Sequence, residues 1–325
     1  MWPAAAVAVR GRAERPGRVS GAERRVAVVL NPAKISEELT GLVKERAEQL
    51  GWAEPLWLET SEDDPGRGMA EQAVEEGVDR VLAAGGDGTV RAVASGLAGS
   101  DVSLGIIPAG TANLLARNLG IPLTEPDAVD VALGSTMRSL DVVKITTDDN
   151  EPDRFAVMAG IGLDAAIMNS SDSSLKGLKD KAGSVAYVVA TARELGRKPR
   201  VMRITVDDGP TLRRRAMLCL VGNVGAIQGQ VELIPDAKPD DGLLDVVVAS
   251  PTRFRHWLGI LLRLVTRKGQ PGDRVDQLVG KRVEVVLEEP DEYELDGDSM
   301  GSCQRMVAEI EPGALKVCVV REAAD

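Results

Sequence analysis

The chain has 325 residues, a formal net charge of −11 and an apolar content of 44%, of which little is aromatic, at 2% of the chain. That length allows two domains with sizeable cores, packed by Val, Leu, Ile and Ala. The acidic balance argues against nucleic-acid binding as the main task, which needs clustered Lys and Arg.

Cys219, Cys303 and Cys318 are far apart and show no metal-ligand spacing, which suits a reducing cytoplasmic setting. The single histidine, His256, has no nucleophile beside it, so a Ser-His-Asp mechanism has little to build on. Any general base must then be a carboxylate or a lysine. No apolar run reaches the length of a membrane-spanning helix. Residues 1–24 hold arginines, Pro and Gly without a long apolar stretch. They read as a disordered leader rather than a signal peptide, with a basic arm on anionic lipid as the alternative.

The first expected strand, 25–30, is a continuous apolar run suited to a buried parallel sheet. A turn at Asn31-Pro32 follows, then an amphipathic helix over 36–50 that ends at Gly51. Strand 55–59, helix 69–76 and strand 79–84 come next, and the last runs into Gly85-Gly86-Asp87-Gly88-Thr89. A helix over 90–97, strand 102–107, the loop Pro108-Ala109-Gly110-Thr111-Ala112-Asn113 and a further helix complete the pattern. Strands alternating with helices predict a Rossmann-like, doubly wound α/β domain over 25–138.

From residue 139 strand-like runs dominate: 140–146, 155–159, 201–206, 216–222, 243–249 and 282–287. They predict a mainly antiparallel, β-sandwich-like domain over 139–312, interrupted by helices at 183–195 and 252–266.

The segment Gly85-Gly86-Asp87-Gly88-Thr89 carries the most chemistry. Glycines between a buried strand and a helix let the backbone approach a ligand closely, and the helix start favours an anion. Asp87 among them makes sense if a divalent metal sits between it and phosphates. A plain strand-to-helix turn is the bland alternative. The segment is neither a Walker A loop nor a G-x-G-x-x-G dinucleotide loop. The second loop, with Thr111, leaves the next strand, so both loops fall on the sheet edge where open α/β sheets bind ligands.

Leu82-Ala-Ala-Gly-Gly-Asp-Gly-Thr89 and Ile107-Pro-Ala-Gly-Thr-Ala-Asn-Leu-Leu-Ala-Arg-Asn118 resemble the diacylglycerol kinase catalytic domain, whose family includes sphingosine and ceramide kinases and is distantly related to NAD kinases. The similarity continues through Asp141-Val-Val-Lys144, Ala159-Gly-Ile-Gly-Leu-Asp164, Asp241-Gly-Leu-Leu-Asp245 and Leu295-Asp-Gly-Asp298.

The resemblance implies two domains with ATP in the cleft between them and a lipid held by the second. It also implies a final strand, within 313–325, that returns to the first domain. Asn31, Thr60, Gly86, Gly88, Thr89 and Thr111 match nucleotide-contacting positions, with Gly85 leading into the loop. Asp87 and Asp141 match acids linked to a catalytic Mg²⁺. Lys238, Asp241 and Leu243 match a second metal site, and Asp298 stands where the family usually has a Glu as general base.

Four departures stand out. Lys34 falls where the Asn-Pro loop often has Ser-Gly, and would bring a charge to phosphate. Arg91 and Ala92 replace Asn-Glu, Leu114 replaces Asp, and Asp298 is a methylene shorter than Glu.

On spacing alone, Asp298 is also readable as a hairpin turn residue, Asp141 as a strand-start charge, and Asp241 with Asp245 as a polar turn. Residues 253–268 are basic, contain no acid, and space Leu258, Leu261, Leu262 and Val265 as a helix would. They suit either a membrane-surface helix or an ordinary helix on the β domain.

The expectation is thus an ATP- and Mg²⁺-dependent lipid kinase, cytoplasmic and peripheral at the inner membrane face, acting on diacylglycerol or another lipid alcohol. The rivals are a soluble-nucleotide kinase of the NAD type and a non-catalytic nucleotide or lipid sensor. The sequence leaves the oligomeric state open, a homodimer included.

Overall fold

The computed structural model describes residues 23–32, 35–162, 199–227, 231–232, 234, 237–250 and 275–321. The expected helices at 183–195 and 252–266, the basic segment 253–268, Lys34 and all but the end of the leader lie outside the described residues.

The first part alternates strands and helices: β1 (Val26–Leu30), α1 (Glu37–Gln49), β2 (Leu56–Glu59), α2 (Arg67–Glu75), β3 (Arg80–Gly85), α3 (Asp87–Leu97), β4 (Ser103–Pro108), α4 (Leu114–Asn118) and α5 (Glu125–Leu133). The strands lie in the order β4-β3-β1-β2, all parallel. Every residue of β1, β3 and β4 is buried, as a sheet covered on both faces requires.

Alternate side chains serve the two faces. Val29, Ala83 and Ile106 join one core with Ala73 of α2 and Val93 of α3. Val28, Leu82 and Ile107 join another with Val43 of α1 and Val129 of α5. Helix α1 starts where Ser36 Oγ accepts from Leu39 N at 3.2 Å, with Glu37 and Glu38 in the first turn, both favoured at a helix N-terminus. The doubly wound expectation is met. Helix α5, with Pro126 in its first turn, was not foreseen, and α3 begins at Asp87 rather than at 90.

The remaining elements among the described residues are strands: β5 (Met137–Thr147), β6 (Asp153–Phe155), β7 (Met158–Ile161), β8 (Arg200–Val206), β9 (Leu212–Ala216), β10 (Leu218–Gly222), β11 (Ala226–Ile227), β12 (Val231–Glu232), β13 (Leu244–Ala249), β14 (Val275–Gly280), β15 (Arg282–Leu295) and β16 (Asp298–Cys318). Their pairing is antiparallel along β14-β13-β10-β7-β15-β16.

Strand β15 changes partner along its length. Val283 to Leu287 face β8, and Tyr293 to Leu295 face β7 after a register shift between Val286 and Asp291. Such an irregularity lets one strand serve two sheet faces, as sandwich corners do. A third core, with Phe155, Ile204, Leu244 and Val285, fills this part.

The end of β16 pairs in parallel with β4, Lys316 opposite Ser103 and Val317 opposite Leu104. Fourteen of the described strands therefore form one continuous sheet. The expected strand 155–159 is broken at Ala156-Val157, where the backbone amides turn to a carboxylate of the hairpin described below.

Candidate active site

The four parallel strands end on one edge. Asn31 follows β1 and Thr60 follows β2, both half-buried, and Gly85 and Pro108 close β3 and β4 opposite each other. Backbone bonds tie these ends together: Asn31 N to Ala84 O at 3.3 Å, Thr60 N to Leu30 O at 2.9 Å and Ala109 N to Gly85 O at 2.8 Å. Thr111 is exposed in the second loop.

Gly86 is the N-cap of α3, and no side chain caps that end, so the first-turn amides face the edge as an anion site would need. The second loop packs directly on it. A Cβ on Gly110 would lie 2.7 Å from Gly86 Cα, so only glycine fits. Asn113, in the left-handed region at φ 49°, locks that loop. Its Oδ1 accepts from Gly110 N at 3.0 Å and its Nδ2 donates to Gly110 O at 2.9 Å.

Asp87 then joins the loops. Its Oδ2 accepts from Asn113 N at 2.8 Å and its Oδ1 from Leu114 N. Burial pushes the Asp87 carboxyl above its ordinary range, the nearby Asp298 adds to the rise, and the two amide bonds oppose it.

Asp298 arrives on the hairpin between β15 and β16. Leu295 and Asp298 close it, and Asp296 and Gly297 form the two-residue loop at φ 49° and 91°. Positive φ at both loop residues is the type I′ geometry that Asp-Gly favours, so the hairpin-turn alternative holds for the loop itself. Asp298 is the first residue of the return strand, and a Cβ on Gly88 would lie 2.7 Å from its Oδ2. Its side chain is 42% exposed. The base candidate thus stands over the first turn of α3, and Gly88 leaves it room.

Asp296 fixes the hairpin tip. Its Oδ1 accepts from Val157 N at 3.0 Å and Met158 N at 2.9 Å, and its Oδ2 from Ala156 N at 3.2 Å. Burial pushes its carboxyl up to about 6 against the pull of those amides. Arg91, in the second turn of α3, is 8% exposed and pairs with Asp153 Oδ2 of β6 at 2.5 Å and with Asp298 Oδ2 at 3.6 Å. A cavity of about 400 Å³ adjoins this corner, lined by Thr147, Asn150, Asp153, Tyr293, Leu295 and Met300.

Asp141 is brought to a different turn. It is 2% exposed. Its Oδ2 accepts from Gly242 N and its Oδ1 from Gly313 N, both at 2.7 Å, while its own N donates to Pro239 O at 2.7 Å. Asn223 Nδ2 donates to Asp141 O at 2.9 Å and to Ala156 O at 3.0 Å, which links Asp141 to the segment held by Asp296. None of these bonds reaches the glycine loop. In the same turn Lys238 and Asp241 are exposed, Leu243 is half-buried, and Leu243 N donates to Asp241 Oδ1 at 3.0 Å.

Asp153, Asp296, Asn113 and Asn223 were not singled out by the sequence reading. Asp296 and Asn113 lay inside its motifs. Asp153 and Asn223 gave no signal, because their partners are distant in the chain.

Among the described residues no group of three or more His, Cys, Asp or Glu is gathered for a metal. Mg²⁺ with nucleotide asks for less, often one or two carboxylates beside phosphate oxygens and water. Asp87 fits that demand: each of its oxygens has one described amide bond and further lone-pair capacity. All three cysteines are free and buried. No helix among the described residues is long and apolar enough to cross a membrane.

Residues 25–145 match the diacylglycerol kinase catalytic domain model, and residues 157–319 match the YegS C-terminal NAD kinase beta sandwich-like domain. A YegS-like lipid kinase of Stenotrophomonas maltophilia is 32% identical over 274 residues, covering 79% of this chain and 84% of the relative. The diacylglycerol kinase of Bacillus subtilis is 27% identical over 285 residues, covering 86% and 91%. That of Mycobacterium tuberculosis is 32% identical over 185 residues, 56% of this chain, and the match spans only 59% of that relative. A crystal structure of a diacylglycerol kinase from Bacillus anthracis shares the fold, with a TM-score of 0.72 at 24% identity over 91% of this chain and 97% of that one. The class is that of two-part kinases with a glycine-loop α/β half and a sandwich-like β half. Within it, the chain belongs to the diacylglycerol kinase catalytic-domain family of lipid kinases.

Proposed function

We propose that this protein transfers the γ-phosphoryl group of ATP to a lipid hydroxyl, with diacylglycerol as the acceptor and phosphatidic acid as the product. The observation that carries the reading is the corner where Asp87 joins two glycine loops at the start of α3 and Asp298 stands over Gly88. Nucleotide would lie at the edge bearing Asn31, Thr60, Gly85, Gly86, Gly88, Thr89 and Thr111, between a 25–138 unit and a 139–312 unit. The α3 amides would take the phosphates. Asp87 would hold magnesium together with the phosphate oxygens, and the ion would supply charge neutralisation there.

Asp298 would accept the proton of the acceptor hydroxyl. That oxygen forms the new bond to the γ-phosphorus, the bond from the γ-phosphorus to the bridging oxygen breaks, and ADP departs with the electron pair. The 400 Å³ cavity beside Asp153 and Met300 suits the acceptor, since it combines Leu295 and Tyr293 with Thr147 and Asn150. Asp141 enters at a distance, through Asn223 and the 156–158 segment that holds the hairpin. The basic 253–268 sequence supports work at the surface of an anionic membrane.

The test is incorporation of label from ATP into mixed micelles of diacylglycerol, with sphingosine and NAD as parallel acceptors. Labelled phosphatidic acid that disappears with Asp87→Ala and with Asp298→Ala is expected. Labelling of NAD alone, or nucleotide binding without any product, would replace this reading with one of its rivals.

A further inference from the structure

A guanidinium that is 8% exposed is costly to bury unless its charge is matched. Arg91 is matched by carboxylates from two other elements. Nη1 donates to Asp153 Oδ2 on β6 at 2.5 Å, and Nη2 lies 3.6 Å from Asp298 Oδ2 on β16 and 3.6 Å from Met300 Sδ two residues further on. Asp153 is itself steadied by Ser95 Oγ, one turn along α3, at 3.4 Å.

Arg91 follows Gly88 by three residues, so both share one face of the helix. The Asp298 carboxylate lies along that face, in contact range of Gly88 at one end and of the guanidinium at the other. Among the described residues Arg91 is the one side chain that pairs with Asp298. Asp87, close enough to feel its charge, repels it.

We propose that Arg91 is a positioning residue for Asp298, clamping the β15–β16 hairpin and β6 onto the helix that receives the phosphates. This rests on the kinase reading above. One helix would then set both the phosphate site and the base, so the distance between them would not depend on how the two halves of the chain settle. An unclamped Asp298, already 42% exposed, would be free to turn to solvent, and a displacement of about 1 Å can cost on the order of a hundredfold in rate.

The test uses the full chain with Mg-ATP and diacylglycerol micelles. For Arg91→Met, kcat should fall about 10- to 100-fold while the KM for ATP stays within about twofold, the split expected when a group acts on the transition state and not on nucleotide binding. Arg91→Lys should recover much of the loss, and Asp153→Asn should lose kcat in the same direction. In an Asp298→Asn background, Arg91→Met should cost little more, read from the residual rate.

A readout independent of turnover is amide exchange, which should speed up about tenfold or more in peptides covering 293–300 when Arg91 is replaced. Should Arg91→Met fail to fold, Arg91→Lys and Asp153→Asn carry the same comparison. An unchanged kcat, a loss confined to the KM for ATP, or an equal loss with and without the Asp298 carboxylate would each overturn the proposal. A wild-type chain without turnover would overturn the kinase reading and this proposal together. An active chain with an indifferent Arg91 would overturn this proposal alone.

Discussion

Two carboxylates of the same type, half-buried Asp87 and buried Asp141, sit in opposite kinds of surroundings. Each accepts two backbone amides. Those on Asp141 come from Gly242 and Gly313, and its own N and O are also tied, to Pro239 and Asn223. It is enclosed at 2% exposure and joins the turn at Gly242 to the turn at Gly313. Asp87 joins two loops that face a helix N-terminus, stands opposite a second carboxylate and is pushed up by burial. Two accepted amides therefore do not by themselves separate a scaffold acid from the acid proposed to act on phosphate. What separates them is whether the amides belong to a closed turn or to the wall of an open edge.

The sharpest break of that comparison is Asp87→Asn, which should lower turnover about a thousandfold or more, because the charge proposed to face phosphate and magnesium would be gone. Steady-state rates in lipid micelles check it. Asp298→Asn comes next, with a loss of about a hundred- to thousandfold in kcat, the range general-base removal gives. Asp141→Asn should act on the fold instead. It sets an amide donor against the N–H of half-buried Gly242 or of exposed Gly313, around a side chain that is itself buried, and should cost about 1–3 kcal/mol in denaturant unfolding, with the kcat of folded protein reduced less than tenfold. A loss of turnover at Asp141 as large as at Asp87, with stability intact, would erase the distinction.

The smallest effect is pH-dependent and concerns Asp296. Its folded-state value, raised to about 6, lies above that of the unfolded chain. Between about pH 4 and 6 the unfolded state ionises this group while the folded state keeps the proton. The contribution of Asp296 to stability is thus full below pH 4, declines by up to about 3 kcal/mol as pH rises to 6, and is flat above. Unfolding of wild type and Asp296→Asn across pH 4–7 should show the gap between them shifting in that window. A gap independent of pH would remove Asp296 from the comparison.

The α/β half was legible because its signals are local. The strands β1, β3 and β4 are unbroken apolar runs, Ser36 announces α1, and glycines around Asp87 announce an anion-binding bend. The β half was legible in kind but not in extent. Strand β9 was absent from the expected strands because its Leu212–Ala216 span carries Arg213, Arg214 and Arg215, of which Arg213 and Arg214 meet Glu288 and Asp276. The break at Ala156-Val157 is imposed by Asp296, some 140 residues away. Arg91 stood out only as a departure from the family pattern, because its partners, Asp153 and Asp298, are distant in the chain.

The sheet that runs unbroken from β4 into β16 has a mechanical consequence. Residues 315–318 of β16 pair with β5 on one side, and Lys316 and Val317 pair with β4 on the other. Strands β5 and β16 run side by side from one half into the other, with an irregularity between Glu311 and Leu315, so wide separation of the halves would have to bend a paired ribbon rather than a single linker. The halves should consequently melt in one cooperative step, and traffic of nucleotide and lipid would rely on loops and side chains along the rim instead of a swinging jaw.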